Sequence, residues 1–184
     1  MMMIRKTAAG FSTPEVLLSI FVVAIGMVTI MTVMSSALRY SYSNQDIIIG
    51  TDLAQEGIEL VRNVRDNDFA SGNTGFSLFS NLRHCRIDWD DASTALDCQG
   101  GQGTVSRYNL NYTNGLYSHA AGLAAGRYNR YIFIDYSSGG GERALVRSFV
   151  FWGNGTLPPT NGNPSNCTTA NSCVFSETFF TAWK

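Results

Sequence analysis

An uninterrupted apolar run extends from Val16 to Leu38 and contains no charged residue. About 20 apolar residues in a helix are enough to cross the hydrocarbon core of a bilayer. The serines and threonines within the run can return hydrogen bonds to the helix backbone, so they do not argue against a membrane span. The run therefore predicts a single transmembrane helix near the N-terminus.

The charges on either side of this run predict its orientation. Arg5 and Lys6 precede it, whereas Arg39 and then several carboxylates follow it. The positive-inside tendency favours a cytoplasmic N-terminus and places the remainder of the chain outside. A secretory signal peptide cut after Ala37 is an alternative. We disfavour it, because the run is longer than the apolar core of a signal and Glu15 interrupts its start.

A helical periodicity continues beyond the apolar run. Apolar residues recur on one face of the helix, while charged and amide residues occupy the opposite face. The apolar face comprises Ile49, Leu53, Gly57, Leu60, Val61 and Val64, and the polar face comprises Asp52, Gln55, Glu56, Glu59, Arg62, Asn63 and Asp66. A cluster of turn residues at 66–75 ends the pattern. Residues 11–67 are therefore predicted to form one long helix, whose second half packs on a sheet rather than in a coiled coil.

The C-terminal half of the chain alternates apolar and polar residues, which indicates strands. Asn114 and Gly115 offer a two-residue hairpin turn between two alternating segments. Two further strands, 130–136 and 143–152, flank a glycine-rich turn, and a last strand is predicted within 173–184. We expect three to five antiparallel strands that bury one face on the amphipathic half of the long helix.

The composition narrows the class of protein. The net charge is −1 and basic residues are scattered, so nucleic acid is not an expected partner. Aromatic residues make up 12% of the chain and cluster in strand-like runs, which argues against a disordered chain. No nucleophile–base pattern stands out, and we expect neither an enzyme nor a cofactor.

The cysteines Cys85, Cys98, Cys167 and Cys173 are predicted to form two disulfides, since the C-terminal part is expected in an oxidising compartment. Four cysteines allow three pairings. We favour Cys85 with Cys98 and Cys167 with Cys173, because each pair brackets a loop that needs restraint. A zinc site is the alternative, but the chain has no Cys-x-x-Cys sequence, and we expect no bound metal.

Three carboxylates, Asp88, Asp90 and Asp91, cluster in the short segment DWDDAST (88–94). Calcium prefers several oxygen ligands, so a calcium site is one interpretation of this cluster. The spacing lacks the glycine and the glutamate that an EF-hand loop requires. We therefore expect a solvated acidic loop.

Glu15 stands at the start of the apolar run, where a charge is costly unless it has a role. Two physical explanations stand side by side. The carboxylate either pairs with an opposite charge at contact distance, or it lies at headgroup level at a helix N-terminus, where negative charge is favoured.

The N-terminal segment resembles a type IV prepilin or pseudopilin. The family pattern is a short charged leader, a glycine, an aromatic residue or methionine, three further residues, a glutamate and about twenty apolar residues. This chain matches the pattern with Gly10, Phe11 and Glu15, and Arg5 and Lys6 supply the charge of the leader. The resemblance is strong over the leader and the apolar run and moderate over the helix that follows.

The resemblance implies a route of processing and assembly. A prepilin peptidase would cut after Gly10, and Phe11 would become the N-methylated terminus of the mature chain. Glu15 would then meet the terminal amine of an adjacent subunit. The implied partners are the peptidase, other pilin subunits, the pilus assembly machinery and, before assembly, the lipid of the inner membrane. Pro14 departs from the pattern, which has an aliphatic residue at that position.

The expected organisation has four parts: a leader (1–10), a transmembrane and filament-core helix (11–38), an amphipathic continuation (39–67) and a β-rich head (68–184). These parts predict an α+β, pilin-like fold. The resemblance implies a minor structural subunit of a type IV pilus, first in the inner membrane and then in an extracellular or periplasmic filament. One alternative is a pseudopilin of a type II secretion system. Another is a membrane-anchored extracytoplasmic binding domain.

Overall fold

The computed structural model describes residues 10, 12–79, 83–89, 96–119, 126–137, 143–153, 155–158 and 160–181. The chain divides into two compact units, residues 1–44 and residues 45–184. Helix α1 (Thr13–Ala70) contributes to both units, and all the described strands belong to the second. The fold is α+β and pilin-like, as the sequence predicts.

In the first unit, α1 presents an apolar surface on every side. Each large apolar side chain from Val16 to Leu38 is at least 45% exposed. The hydroxyls of Ser19, Thr29, Thr32 and Ser36 donate to backbone carbonyls three or four residues earlier in the helix. Within the described residues, α1 is the one helix long and apolar enough to cross a membrane.

The second unit contains a seven-stranded antiparallel sheet. Its strands are β1 (His84–Arg86), β2 (Asp97–Gln99), β3 (Asn109–Thr113), β4 (Leu116–Ser118), β5 (Tyr128–Ser137), β6 (Arg143–Trp152) and β7 (Cys173–Thr181). Strands β5, β6 and β7 pair in succession, while β1 and β3 pair with the other side of β5 and carry β2 and β4. The expectation of three to five strands was too low, because three-residue strands are too short to show alternation.

Both predicted hairpins are confirmed. Strands β5 and β6 pair over their full length, from Tyr128 opposite Trp152 to Ser137 opposite Arg143. Strands β3 and β4 are joined by Asn114 and Gly115, whose φ values are 54° and 88°. These positive angles are those of the two-residue turn that matches the twist of a hairpin.

The core of the second unit lies between the sheet and residues 45–70 of α1. The predicted apolar face is largely confirmed, since Leu53, Gly57, Val61 and Val64 are buried. The buried stripe also contains Ala54, Ile58 and three polar residues, Asp46, Arg65 and Asp68. Across the interface it meets the inward side chains of β5 and β6, including Ile132, Ile134, Val146 and Val150.

Helix α1 ends at Ala70 rather than at the predicted residue 67. The Asp68 carboxylate accepts hydrogen bonds from the backbone and the hydroxyl of Ser77, at 3.1 and 2.5 Å, and from Asn73 at 2.8 Å. These bonds fold the chain back immediately after the last turn. Turn residues such as Asn67 can therefore remain within the helix.

Two disulfides join Cys85 with Cys98 and Cys167 with Cys173, which is the pairing favoured from the sequence. The first links β1 to β2 at the middle of their short ladder. The second belongs to an aromatic cluster on the face of the sheet opposite α1, where Leu157 also packs. The first disulfide thus joins two three-residue strands, and the second ties the segment before β7 to the first residue of that strand.

Removing the Cys85–Cys98 disulfide should destabilise the second unit more than removing the other. The sequence separations are 13 and 6, and the stabilisation from loop closure rises with loop length. Cys85→Ser with Cys98→Ser should lower the free energy of unfolding by about 3 kcal/mol in a urea titration. Cys167→Ser with Cys173→Ser is the matched variant, and a larger loss there would contradict this ranking.

Gly57→Ala should destabilise the second unit by about 1–3 kcal/mol, because a methyl group would overlap the Ser148 Oγ. Ser148→Ala in the same chain should restore part of that loss. The Ser148 hydroxyl is buried and has no hydrogen-bond partner within the described part of the chain, so little is lost with it. Gly26→Ala, which meets no atom within 4 Å, is the control. A neutral Gly57→Ala in thermal unfolding would refute the prediction.

Candidate functional site

The expected processing site lies just before α1. Gly10 is exposed, and a Cβ added there would meet nothing within 4 Å. The expected N-methylated residue, Phe11, and the leader residues Arg5 and Lys6 lie outside the described residues. The geometry of the site is therefore defined by Gly10 and by the first turn of the helix.

Helix α1 begins at Thr13 rather than at residue 11. The carbonyl of Ser12 accepts hydrogen bonds from the N–H groups of Glu15 at 3.0 Å and Val16 at 3.3 Å. Pro14 thus falls in the first turn, where backbone N–H groups have no partner inside a helix. The proline removes no helical hydrogen bond and is compatible with a helix that starts at this point.

The carboxylate of Glu15 is exposed at the start of the apolar surface. It is the acidic residue of the first turn, where the helix dipole favours negative charge. Among the residues that the structure describes, no cation forms an ion pair with it. The site therefore offers a hydrogen-bond acceptor with negative charge beside an apolar helix surface.

The second unit contains buried polar contacts that the sequence reasoning missed. Asp46 of α1 is 7% exposed, accepts a hydrogen bond from the Tyr128 hydroxyl at 2.8 Å and pairs with Arg127 at 2.5 Å. Burial and the hydrogen bond to Asp46 raise the pKa of Tyr128 far above its ordinary value. These contacts attach the first turn of α1 in this unit to the beginning of β5.

A second polar group surrounds Arg130 of β5, whose side chain is fully buried. Its guanidinium donates to Glu56 at 2.9 Å and to the carbonyl of Ile87 at 2.8 Å, and lies 3.6 Å from Asp88. A buried arginine is tolerated when its charge is paired in this way. The sequence predicted Glu56 on the polar face of the helix, away from the sheet. This prediction is wrong for its carboxylate, because the long side chain reaches back to Arg130 of β5.

Asp88 is not part of a solvated loop, and the sequence expectation is wrong for this residue. Its side chain is 12% exposed, accepts from the backbone N–H of His119 at 2.9 Å and shares a 2.7 Å hydrogen bond with the imidazole Nδ1. Burial alone would raise the pKa of Asp88, but the hydrogen bonds from His119 and the charge of Arg130 lower it. Asp90 and Asp91, the other candidate calcium ligands, lie outside the described residues.

The helical spacing contains a signal for part of these polar contacts. Asp46 and Asp68 continue the apolar stripe of α1 in both directions, so a strict reading of the period places both carboxylates toward the sheet. No comparable signal exists for Arg130 and Asp88. Strand alternation alone does not distinguish a buried arginine from an exposed one.

Comparisons with protein-family models, with curated proteins and with solved structures found no match to this chain. The resemblance to prepilins therefore rests on the N-terminal residues. The features of this chain that point to a function are the exposed apolar helix and the carboxylate at its start.

Acid should destabilise the second unit, with a contribution from Asp88. The pKa values of Asp68, Asp88 and Asp97 are lowered in the folded chain. Each carboxylate therefore stabilises the fold above the unfolded-state pKa of about 3.9 and loses this contribution as the pH falls through the lower folded-state value. The free energy of unfolding should decline below about pH 4.

Asp88→Asn should give a less steep decline of the free energy of unfolding with acid than the parent chain. Asp52→Asn, at an exposed position of α1, controls for the loss of one negative charge. Urea titrations at a series of pH values measure both. An unchanged pH dependence in Asp88→Asn would contradict the role assigned to this carboxylate.

Proposed function

We propose that this chain is a minor structural subunit of a type IV pilus, cut after Gly10 by a prepilin peptidase and assembled through the apolar half of α1. The observation that carries the proposal is Glu15, an exposed carboxylate at the start of an uncovered apolar helix. It lies four residues after Phe11, which cleavage would make the new terminus.

The apolar surface of α1 supports a role in which lipid covers it first and other subunits cover it later. Moving one large apolar side chain out of water is favourable by about 1.5–3 kcal/mol of free energy. A helix with so many exposed apolar side chains is therefore unstable in contact with water. Lipid covers it while the chain is in the inner membrane. In a filament, the apolar helices of neighbouring subunits cover it. Four hydroxyls of the helix donate to backbone carbonyls of the same helix, so they need no polar partner in either environment.

The position of Glu15 supports a specific contact between subunits. Cleavage after Gly10 would create a positively charged α-amino group on Phe11. An apolar environment makes an unpaired carboxylate costly, and an opposite charge at contact distance offsets much of that cost. When helices pack side by side, the carboxylate of one subunit can meet the amine of the next, which fixes the axial position of each added subunit.

The two disulfides support a location of the second unit outside the cytoplasm, because disulfides persist in oxidising compartments. In the proposed filament this unit faces outward and needs no catalytic group. A pseudopilin of a type II secretion system has the same N-terminal chemistry. Recovery of the mature chain from surface pili supports the pilus, whereas recovery only from a secretion complex supports the pseudopilin.

Glu15→Gln should reduce incorporation into filaments by at least about 100-fold while the membrane-bound amount stays similar. The amine of the neighbouring subunit would lose its partner, and breaking a buried ion pair costs about 3–5 kcal/mol. Quantitative mass spectrometry of sheared filaments and of membranes measures the two pools. Glu59→Gln, which changes an exposed carboxylate in the second unit, is the matched control.

Assembly of Glu15→Gln at the level of the parent chain would overturn the role of this carboxylate. That result would favour a membrane-anchored binding domain, in which α1 is an anchor and nothing more. Equal loss of incorporation in Glu59→Gln would show that the assay reports protein stability rather than the proposed contact.

A further inference from the structure

Strand β7 forms one edge of the sheet. It pairs with β6 on one side, and no strand in the described part of the chain pairs with the other side. The ladder with β6 is continuous from Thr181 to Cys173, so the strand contains no bulge. Nine residues at about 3.4 Å each give roughly 30 Å of edge.

The hydrogen bonds show which residues direct their backbone outward. The N–H of Trp152 donates to the carbonyl of Ser172 at 3.0 Å, and hydrogen-bonded pairs alternate along an antiparallel ladder. The residues that bond to β6 are therefore Val174, Ser176, Thr178 and Phe180. Phe175, Glu177 and Phe179 direct their N–H and C=O groups to the free edge. Cys173 alternates in step with these three outward-directed residues, and accordingly its N–H donates to the carbonyl of Thr168 and not to β6.

The side chains of the same three residues form a row along this edge. Phe175 is 38% exposed and Phe179 is 65% exposed, although Phe175 also stacks on Phe149 with a centroid distance of 5.8 Å. Glu177 lies between them and pairs with Arg147 of β6 at 2.8 Å. The edge thus combines free backbone groups with a row of three side chains, in which the acidic Glu177 lies between the apolar Phe175 and Phe179.

Long free edges are normally protected in folded proteins. The usual protections are short length, lysine, proline, a bulge or a covering segment. Strand β7 has no lysine, proline or bulge, and within the described residues no backbone group hydrogen-bonds the N–H of Phe175, Glu177 or Phe179. The other outer strands, β2 and β4, have three residues each. The long unprotected edge is therefore confined to β7 in the described sheet.

A second copy of this chain fits the edge poorly when the two β7 strands pair in the register centred on Glu177. Symmetric pairing of two β7 strands about their centre would place Phe175 opposite Phe179, but it would also place Glu177 opposite Glu177. Like charges directly opposite each other destabilise a pair of strands. Head-to-tail pairing would need a second long edge, and β2 and β4 are too short to supply one.

We propose that β7 is a docking edge for an extended strand of a different protein, with a basic residue opposite Glu177 and apolar residues opposite Phe175 and Phe179. Backbone hydrogen bonds supply affinity when a strand is added to a sheet, and the alternate side chains supply specificity. The basic residue complements a carboxylate that is 44% exposed despite its contact with Arg147. This interaction does not depend on filament assembly through α1.

Two synthetic peptides, each as long as β7 and with valine at alternate positions, test the proposal. One peptide has lysine at its centre and the other has glutamate. The isotope-labelled full chain in detergent micelles is mixed with each, and amide hydrogen exchange is followed by NMR. The lysine peptide should slow exchange at Phe175, Glu177 and Phe179 by roughly tenfold or more, a factor that corresponds to about 1.4 kcal/mol.

The inward-bonded amides of β7 serve as the internal reference, since the ladder with β6 already protects them. Arg147→Glu combined with Glu177→Lys keeps the ion pair but reverses the charge on the edge. This double variant should prefer the glutamate peptide. Phe179→Lys, at an exposed position, adds an edge lysine and should weaken both peptides even if the double variant fails to fold.

Three outcomes would overturn the proposal. In the first outcome, neither peptide slows exchange at the three amides. In the second, these amides are already protected in the dilute chain without any peptide. In the third outcome, protection rises with the concentration of the chain itself, which would identify a second copy as the occupant. An equal response to both peptides would overturn the assignment of a basic residue opposite Glu177.

Discussion

The apolar surface of α1 needs a cover that the described chain does not supply. From Val16 to Leu38 the helix contains no charged residue, and the hydroxyls of Ser19, Thr29, Thr32 and Ser36 donate to its own backbone carbonyls. By length and composition this helix can cross a membrane, where lipid would cover its apolar side chains. Glu15, at the start of that surface, is the acidic residue of the first helical turn, and its exposed carboxylate can accept a directional hydrogen bond.

In the second unit, the amphipathic half of α1 must be held on the sheet in one register. Apolar contacts alone are non-directional. Two charged contacts, from Asp46 to Tyr128 and from Glu56 to the buried Arg130, fix two points of α1 on β5. Gly57, the residue after Glu56, approaches Ser148 closely and sets how near the helix comes to β6.

Sequence patterns predicted the parts of this fold that depend on periodicity. The apolar run, the amphipathic stripe and the hairpin turn at Asn114 each leave a local signal. The strands β1 and β2 leave none, because they are held by a disulfide and by pairing with distant residues. The burial of Asp88 could not be read from an acidic segment, since the partners that bury it, His119 and Arg130, are remote in sequence. The N-terminal pattern indicated Glu15, but no pattern of alternation shows that one edge of the sheet is unpaired.

The most direct measurement is the N-terminal mass of the protein purified from its native membranes or filaments. A mature chain that begins at N-methylated Phe11 is the predicted result, because a prepilin peptidase would remove the leader after Gly10. A chain that still begins at Met1, or one that starts near Leu38, would contradict the account. Either result would leave α1 as a plain anchor or a removed signal, without a role for Glu15 in assembly.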